Sequence, residues 1–485
     1  MSTQANGKNE GIELFPVPQP VQSADLPTPR PLPGVTPAST AALREVLEDD
    51  YKRHHCFFNE FGFHNHVAHT AIALWYLGAD VDVIKAAYAS QASYQRPAFT
   101  SPGPISKDNW TEHFGDEKYY NAYLAFFIGE LAAKDTVAVL EEYVFSDAAN
   151  FPGGGKRIEM LCRFDEGLLH PLIHVGYGFE LGIPGMIAEG LAQAAVHEAV
   201  GSPIIPASWF EKAPKAPKGN ATSSVLSILS RVITDPDIDY KMPPNPMGMF
   251  KDVVKQYSTK IVEYVEAWTP DVSTKEGLQK TLEEVIFFVN LTYAVPGLAS
   301  KEEVSFNADF FAMHFVTSSM FLPSLLVHLK PRSQELLLRS YVSMCLTWFI
   351  VRGKPQLNVE AFFAETSSLK SLLDAPTISR PRLPGVSAAS AKSANPWTSV
   401  LEETIVHPDD HLPKLQRTLS HYAQVYGDRE AGYFKDTELK GAEKIDGTLF
   451  TRSANLTALR LNSPAGKQQM PGGIVSWWDR RGFFA

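Results

Sequence analysis

Residues 167–181 read GLLHPLIHVGYGFEL. The apolar side chains do not alternate as they would on a half-buried strand, and with the residues before them they predict a helix over 157–181. His170 and His174 stand four apart. On a helix they share a face, where two imidazoles can chelate one ion. Pro171 follows the first of them, so the pair has no internal general-base glutamate of the kind found in zinc proteases. A buried helix carrying two imidazoles sets the terms for the rest of the chain.

Helical patterns dominate on both sides of it. They cover 66–77, 119–132, 136–145 and 184–200, and later 308–329, 333–351 and 412–426. Ser273 and Glu276 form a capping-box pattern ahead of another helix over 278–292. Near the start, Ser39 or Thr40 can cap a helix that carries Leu43, Val46 and Leu47. Strand-like alternation is scarce. The expected fold is mainly α: one large multi-helix domain over 39–485, with a metal site between helices. An extended proline-rich arm (1–38) precedes it, and long proline-rich loops interrupt it at 211–248 and 374–397.

The chain has 485 residues, 44 Lys+Arg and 54 Asp+Glu, for a formal charge of −10. An acidic balance lacks the basic footprint that non-specific nucleic-acid binding requires. Three dispersed cysteines, Cys56, Cys162 and Cys345, give neither a disulfide framework nor a zinc cluster. The run 310–329 contains His314, Pro323 and His328, which suits a core helix better than a membrane span. The first ten residues show no targeting pattern, so a cytoplasmic protein with no membrane partner is expected. Nothing in the sequence assigns an oligomeric state.

The chain has fourteen histidines, and they cluster. Three lie in FHNHVAH (63–69), where His66 and His69 share a helix face and His64 does not. His314 sits in FFAMHF (310–315), where a neutral ring must find a partner. One such histidine is usually a hydrogen-bonded core residue. Several clusters together point to a metal that favours imidazole: iron, zinc, copper or nickel. His113 and Tyr119, in HFGDEKYY (113–120), are candidate catalytic groups, although Asp116 and Glu117 there also suit a plain helix start. Residues 150–157 (NFPGGGKR) fail the phosphate-loop pattern and read as a glycine turn. HPDDHLPK (407–414) reads as a helix start with solvated charges and receives no role.

Four blocks resemble the fungal questin oxidase-like family, enzymes of aromatic polyketide metabolism. They are FHNHVAH with LWYLGA behind it, NWTEHFGDEKYYNAYLAFF, GLLHPLIHVGYGFE and WFIVRGKPQL. The resemblance runs roughly from Tyr51 to Gly427. It implies a polycyclic aromatic, anthraquinone-type substrate and one of two chemistries. The first is a non-haem iron dioxygenase that breaks a ring carbon–carbon bond, using Fe(2+) and O2, with iron held by four histidines and a carboxylated lysine. The second is a Baeyer–Villiger-type oxidation dependent on NADPH, used directly or to reduce the quinone beforehand. Carried onto this chain, the first reading implies His170, His174 and His314 as ligands and Lys354 as the lysine. The fourth histidine comes from His64, His66 or His69, with His69 and then His66 favoured. Phe310, Phe311, Phe315 and Trp348 are candidates for a flat aromatic slot, with core packing as the equal alternative.

Overall fold

Helix boundaries in this chain are set by caps at least as much as by hydrophobic period. In the computed structural model, Thr36 accepts from the Ser39 amide while Ser39 returns a bond to Thr36, a reciprocal cap that starts the Pro37–Arg53 helix. The cap thus lies just before the expected Ser39 or Thr40. Likewise Thr274, rather than Ser273, caps the Lys275–Gly297 helix. The structure describes residues 11–211, 221–242, 248–298, 306–366, 394–463, 468–469 and 475–483. The first ten residues of the arm and much of the two proline-rich insertions lie outside the described residues.

The architecture is helical throughout, and its buried apolar residues form one continuous core. Among the described residues the only paired strands are Gln468–Gln469 and Val475–Ser476, antiparallel. No described helix is long and apolar enough to cross a membrane, and the 310–329 run divides into Phe310–Ser319 and Leu322–Leu326. The expected insertion at 211–248 contains a helix, Val225–Thr234, whose apolar side chains are buried. From Gly11 the arm runs extended along the end of the Met160–Leu181 helix: Gln19 and Val21 donate to the carbonyls of Leu181 and Glu180. Phe15 and Leu26 anchor it in the core.

Two features of this frame position the site. The Met160–Leu181 and Pro184–Val196 helices pack closely because Gly190 leaves room beside Val175 and the Pro171 carbonyl. That approach brings Glu189 beside His174. The Met160–Leu181 helix is also broken inside. Gly167, Leu168 and Leu169 adopt left-handed φ values of 57°, 57° and 66°, and the helix restarts at His170 with Pro171 in its first turn. Proline suits that place because the first amides of a helix have no partner within it. Two leucines in the left-handed region cost roughly 1–2 kcal/mol each. A Cβ at residue 167 would lie 2.7 Å from the rings of His197 and His64, so Gly167 alone fits the turn. The unbroken helix expected over 157–181 is therefore two, and the break sits immediately before His170.

Just before the break lies Asp165, fully buried with no hydrogen-bond partner at either oxygen. Burial pushes its carboxyl up to about 8. A carboxyl raised in the folded state contributes stability fully below its unfolded value, and that contribution is lost as pH rises toward the folded value. The window here is about pH 4 to 8. Asp165→Asn is expected to match the wild-type protein in thermal unfolding near pH 4.5. At pH 7–8 it gains stability on the order of 4 kcal/mol. A constant offset across that range would contradict this account.

Candidate functional site

Four helices bring imidazoles together in the interior. His66 is the N-cap of the Val67–Tyr76 helix, His170 begins the restarted helix, His314 lies in the Phe310–Ser319 helix, and His411 is the N-cap of Leu412–Tyr426. Their rings form a closed circuit. Centroids lie 5.0 Å apart for His66–His170, 5.1 Å for His170–His314, 5.1 Å for His314–His411 and 4.5 Å for His411–His66. All four rings are buried, and burial is the main cause that lowers the pKa of each, so they are neutral at physiological pH.

Neutral rings allow the protons to be placed. Carbonyls and carboxylates only accept, so a ring nitrogen bonded to one must carry the hydrogen. His170 Nδ1 donates to the Gly167 carbonyl (2.5 Å) and His314 Nδ1 to the Phe310 carbonyl (2.7 Å). His66 Nδ1 and His411 Nδ1 both donate to Asp410, at 2.7 and 2.6 Å. Each ring therefore keeps its lone pair on Nε2. The Nε2 atoms of His314 and His411 are buried without a partner. Those of His66 and His170 face each other at 2.8 Å as two acceptors, an arrangement that is repulsive unless a proton or cation lies between them. Imidazoles whose second nitrogen is fixed on oxygen are the usual state of metal-bound histidine. This donor set fits a cation that favours nitrogen. Among the described residues, the group whose ligand atoms all lie within 4.8 Å of one another is His66, Asp410 and His411, two of the four imidazoles with their shared carboxylate.

The surrounding charges favour the same arrangement. Asp410 and Asp409 are adjacent carboxyls. Burial raises both, but contact with His411 and His66 keeps Asp410 well below the ordinary range and ionised, while Asp409 is pushed up. Lys414, two residues into its helix, is buried, and its charge acts on all four rings. Desolvation lowers its amine to about 8.

A second line of imidazoles lies beside the first. His174 Nε2 donates to Glu189 (3.2 Å), and His69 Nε2 donates to His174 Nδ1 (2.9 Å), which leaves His69 Nδ1 buried without a partner. His64 stacks on His170 at 4.3 Å and bonds to His197 at 2.8 Å. His170 and His174 share the restarted helix but have different partners, His66 and the Gly167 carbonyl for the first, His69 and Glu189 for the second.

The other sequence candidates are distributed unevenly. Phe310 touches the circuit, with its ring 4.7 Å from His314 and 5.0 Å from His411. Phe311 and Trp348 stack on each other at 5.0 Å, and Phe250 also stacks on Trp348 at 5.0 Å. Phe315 is a core residue. His113 and Tyr119 stack on each other at 3.7 Å as a pair of their own. Lys354 also lies apart: its ammonium donates to the Asp235 carbonyl (2.6 Å), and its charged neighbours are Asp235, Asp239, Lys241 and Lys260. The contribution of WFIVRGKPQL comes instead from Arg352, which grips Asp309 at 2.6 and 2.9 Å. Asp309 in turn caps the His314 helix through the amides of Phe311 and Ala312. His411 and Lys414, read from sequence as part of a solvated helix start, are buried, and Asp410 just before them is half-buried.

Helices converging on a buried circuit of imidazoles and one lysine define a histidine-centred helical oxidoreductase. The chain belongs to the questin oxidase-like family, whose model matches residues 63–419, the span from the first histidine cluster through Lys414. Related proteins include the Baeyer-Villiger oxidase ptaJ of Pestalotiopsis fici, 24% identical, covering 81% of this chain and 83% of its own length. The questin oxidase of Aspergillus terreus is 24% identical over 82% and 84%. The Baeyer-Villiger oxidase mdpL of Emericella nidulans is 25% identical over the same shares.

Proposed function

We propose that this protein is an iron-dependent oxygenase that cleaves a ring carbon–carbon bond of an anthraquinone-type polyketide. The observation that carries the reading is the closed circuit of four neutral imidazoles, each with Nδ1–H fixed on oxygen and Nε2 left as an acceptor. His66, His170, His314 and His411 would hold the iron, and Lys414, as its carbamate, would supply an anionic oxygen. Iron bound there would supply the one-electron chemistry that lets O2 react with a closed-shell aromatic. The protein's own groups do the rest. Asp410 fixes two tautomers at once, and the Gly167 and Phe310 carbonyls fix the other two. The unpartnered Nδ1 of His69, backed by His174 and Glu189, would take a proton from a phenolic hydroxyl. Phe310 offers an apolar plane beside the imidazoles.

The relatives' names favour a second reading, a Baeyer–Villiger-type oxidation, for which the family resemblance implies NADPH as reductant. Metal analysis together with oxygen uptake on a reduced hydroxyanthraquinone separates the two. The iron reading expects about one iron per chain, activity lost on chelation, and activity restored by Fe(2+) without NADPH. Full NADPH-dependent turnover by metal-free protein would overturn it.

A further inference from the structure

Beyond the family-matched span, the described segment 475–483 folds back over the imidazole circuit and is held on both sides. Trp478 Nε1 donates to Asp409 (2.9 Å), the Phe310 amide donates to the Asp479 carbonyl (2.8 Å), and Asn307 donates to the Gly482 carbonyl (2.9 Å). Between these anchors stands Arg480. Its guanidinium carbon lies 3.6 Å from the centroid of Phe310, the ring that touches His314 and His411.

The guanidinium is largely uncommitted. Nε donates to Ser476 Oγ at 3.2 Å. Among the described residues, neither terminal amino group has a hydrogen bond or an ion pair. The charged groups that face it are Asp409, Asp410, Asp309 and Arg352. Each of these carboxylates is already engaged elsewhere: Asp309 by Arg352, Asp409 by Trp478 and two backbone amides, and Asp410 by His66 and His411. A fork of donors with no acceptor, half-buried at the rim of the site, is suited to an oxygen anion or to two adjacent oxygens.

We propose that Arg480 recognises the substrate, pairing with an ionised hydroxyl, or with the adjacent hydroxyl and carbonyl oxygens, of a hydroxylated polycyclic aromatic. This rests on the substrate class proposed above and assigns the group that selects within it. Arg480 is a specificity residue on this account, and Phe310 beneath it fixes the plane of the fork.

The test is equilibrium binding to the full-length protein without oxygen, so that it does not depend on turnover. A hydroxyanthraquinone and its O-methyl ether are titrated, following the visible absorption of the quinone. The wild-type protein is expected to bind the free hydroxyl form at least about tenfold more tightly. Arg480→Gln loses that preference, weakening the hydroxyl form by roughly 10- to 100-fold and the ether by less than about threefold. Arg480→Lys, which keeps the charge but not the fork, falls between them and carries the test if Arg480→Gln melts early. Equal weakening for both ligands, or none, overturns the role of Arg480. Failure of the wild-type protein to bind either ligand overturns the substrate class and this assignment with it.

Discussion

His411→Ala is expected to leave the protein folded but without bound iron, and to lower turnover on a reduced hydroxyanthraquinone by at least about 100-fold. The imidazole is buried, and one of its two nitrogens serves Asp410 while the other has no partner. Truncation therefore removes one hydrogen bond and opens a small cavity, a cost on the order of 2–3 kcal/mol that a chain of this size tolerates. If the ring were only packing, metal content would not change and activity would fall no further than stability does. His314→Ala should behave in the same way, because its Nε2 is also orphaned. His328→Ala, on an exposed residue outside the circuit, should leave iron content and turnover near wild type. The measurement is iron per chain alongside kcat for the three variants. Normal iron content in His411→Ala would remove this residue from the centre.

Three of the four imidazoles of the circuit are legible in the sequence, for a specific reason. His66, His170 and His314 stand in apolar helical surroundings, where a polar ring is conspicuous. His411 and Lys414 stand in HPDDHLPK, whose dense charge reads as surface. The reading failed because tertiary partners bury those charges: Trp478 and the amides of His411 and Leu412 take Asp409, and His66 and His411 take Asp410. A signal was present all the same. The helix behind His411 carries Leu412, Leu415, Leu419 and Tyr422 on one side, and Lys414, Arg417 and His421 among its other residues, and all of these are buried. A helix whose cations are buried alongside its apolar stripe belongs to an interior. Lys354 misled for the opposite reason. The apolar run before it suggested burial, but Gly353 and Lys354 take positive φ and turn the chain outward, so the buried cation of that block is Arg352. The left-handed turn at 167–169 had only Gly167 and Pro171 to mark it. Two leucines with positive φ are imposed by packing around the imidazoles, not by local preference.

Lys414 is expected to carry carbon dioxide. An ordinary lysine with a pKa near ~10.4 is neutral in only about one molecule in 2,500 at pH 7. At about 8, close to a tenth of Lys414 is the free amine, the form that attacks CO2 to make a carbamate and release a proton. Burial makes that amine available, and a cation held by the neighbouring imidazoles would stabilise the resulting anion. Incubating the iron-loaded or zinc-loaded protein with 13C-bicarbonate should give one carbamate carbon resonance that is absent from Lys414→Met. That variant should lose at least about 100-fold in activity and recover part of it in millimolar formate or acetate, small carboxylates that can enter the space the side chain leaves. Lys414→Arg should show neither the resonance nor the recovery, since a guanidinium stays protonated and cannot take up CO2. Full activity in Lys414→Met, or activity retained by Lys414→Arg, would mean that the site needs at most a buried positive charge here, and the anionic ligand would have to be Asp410 instead.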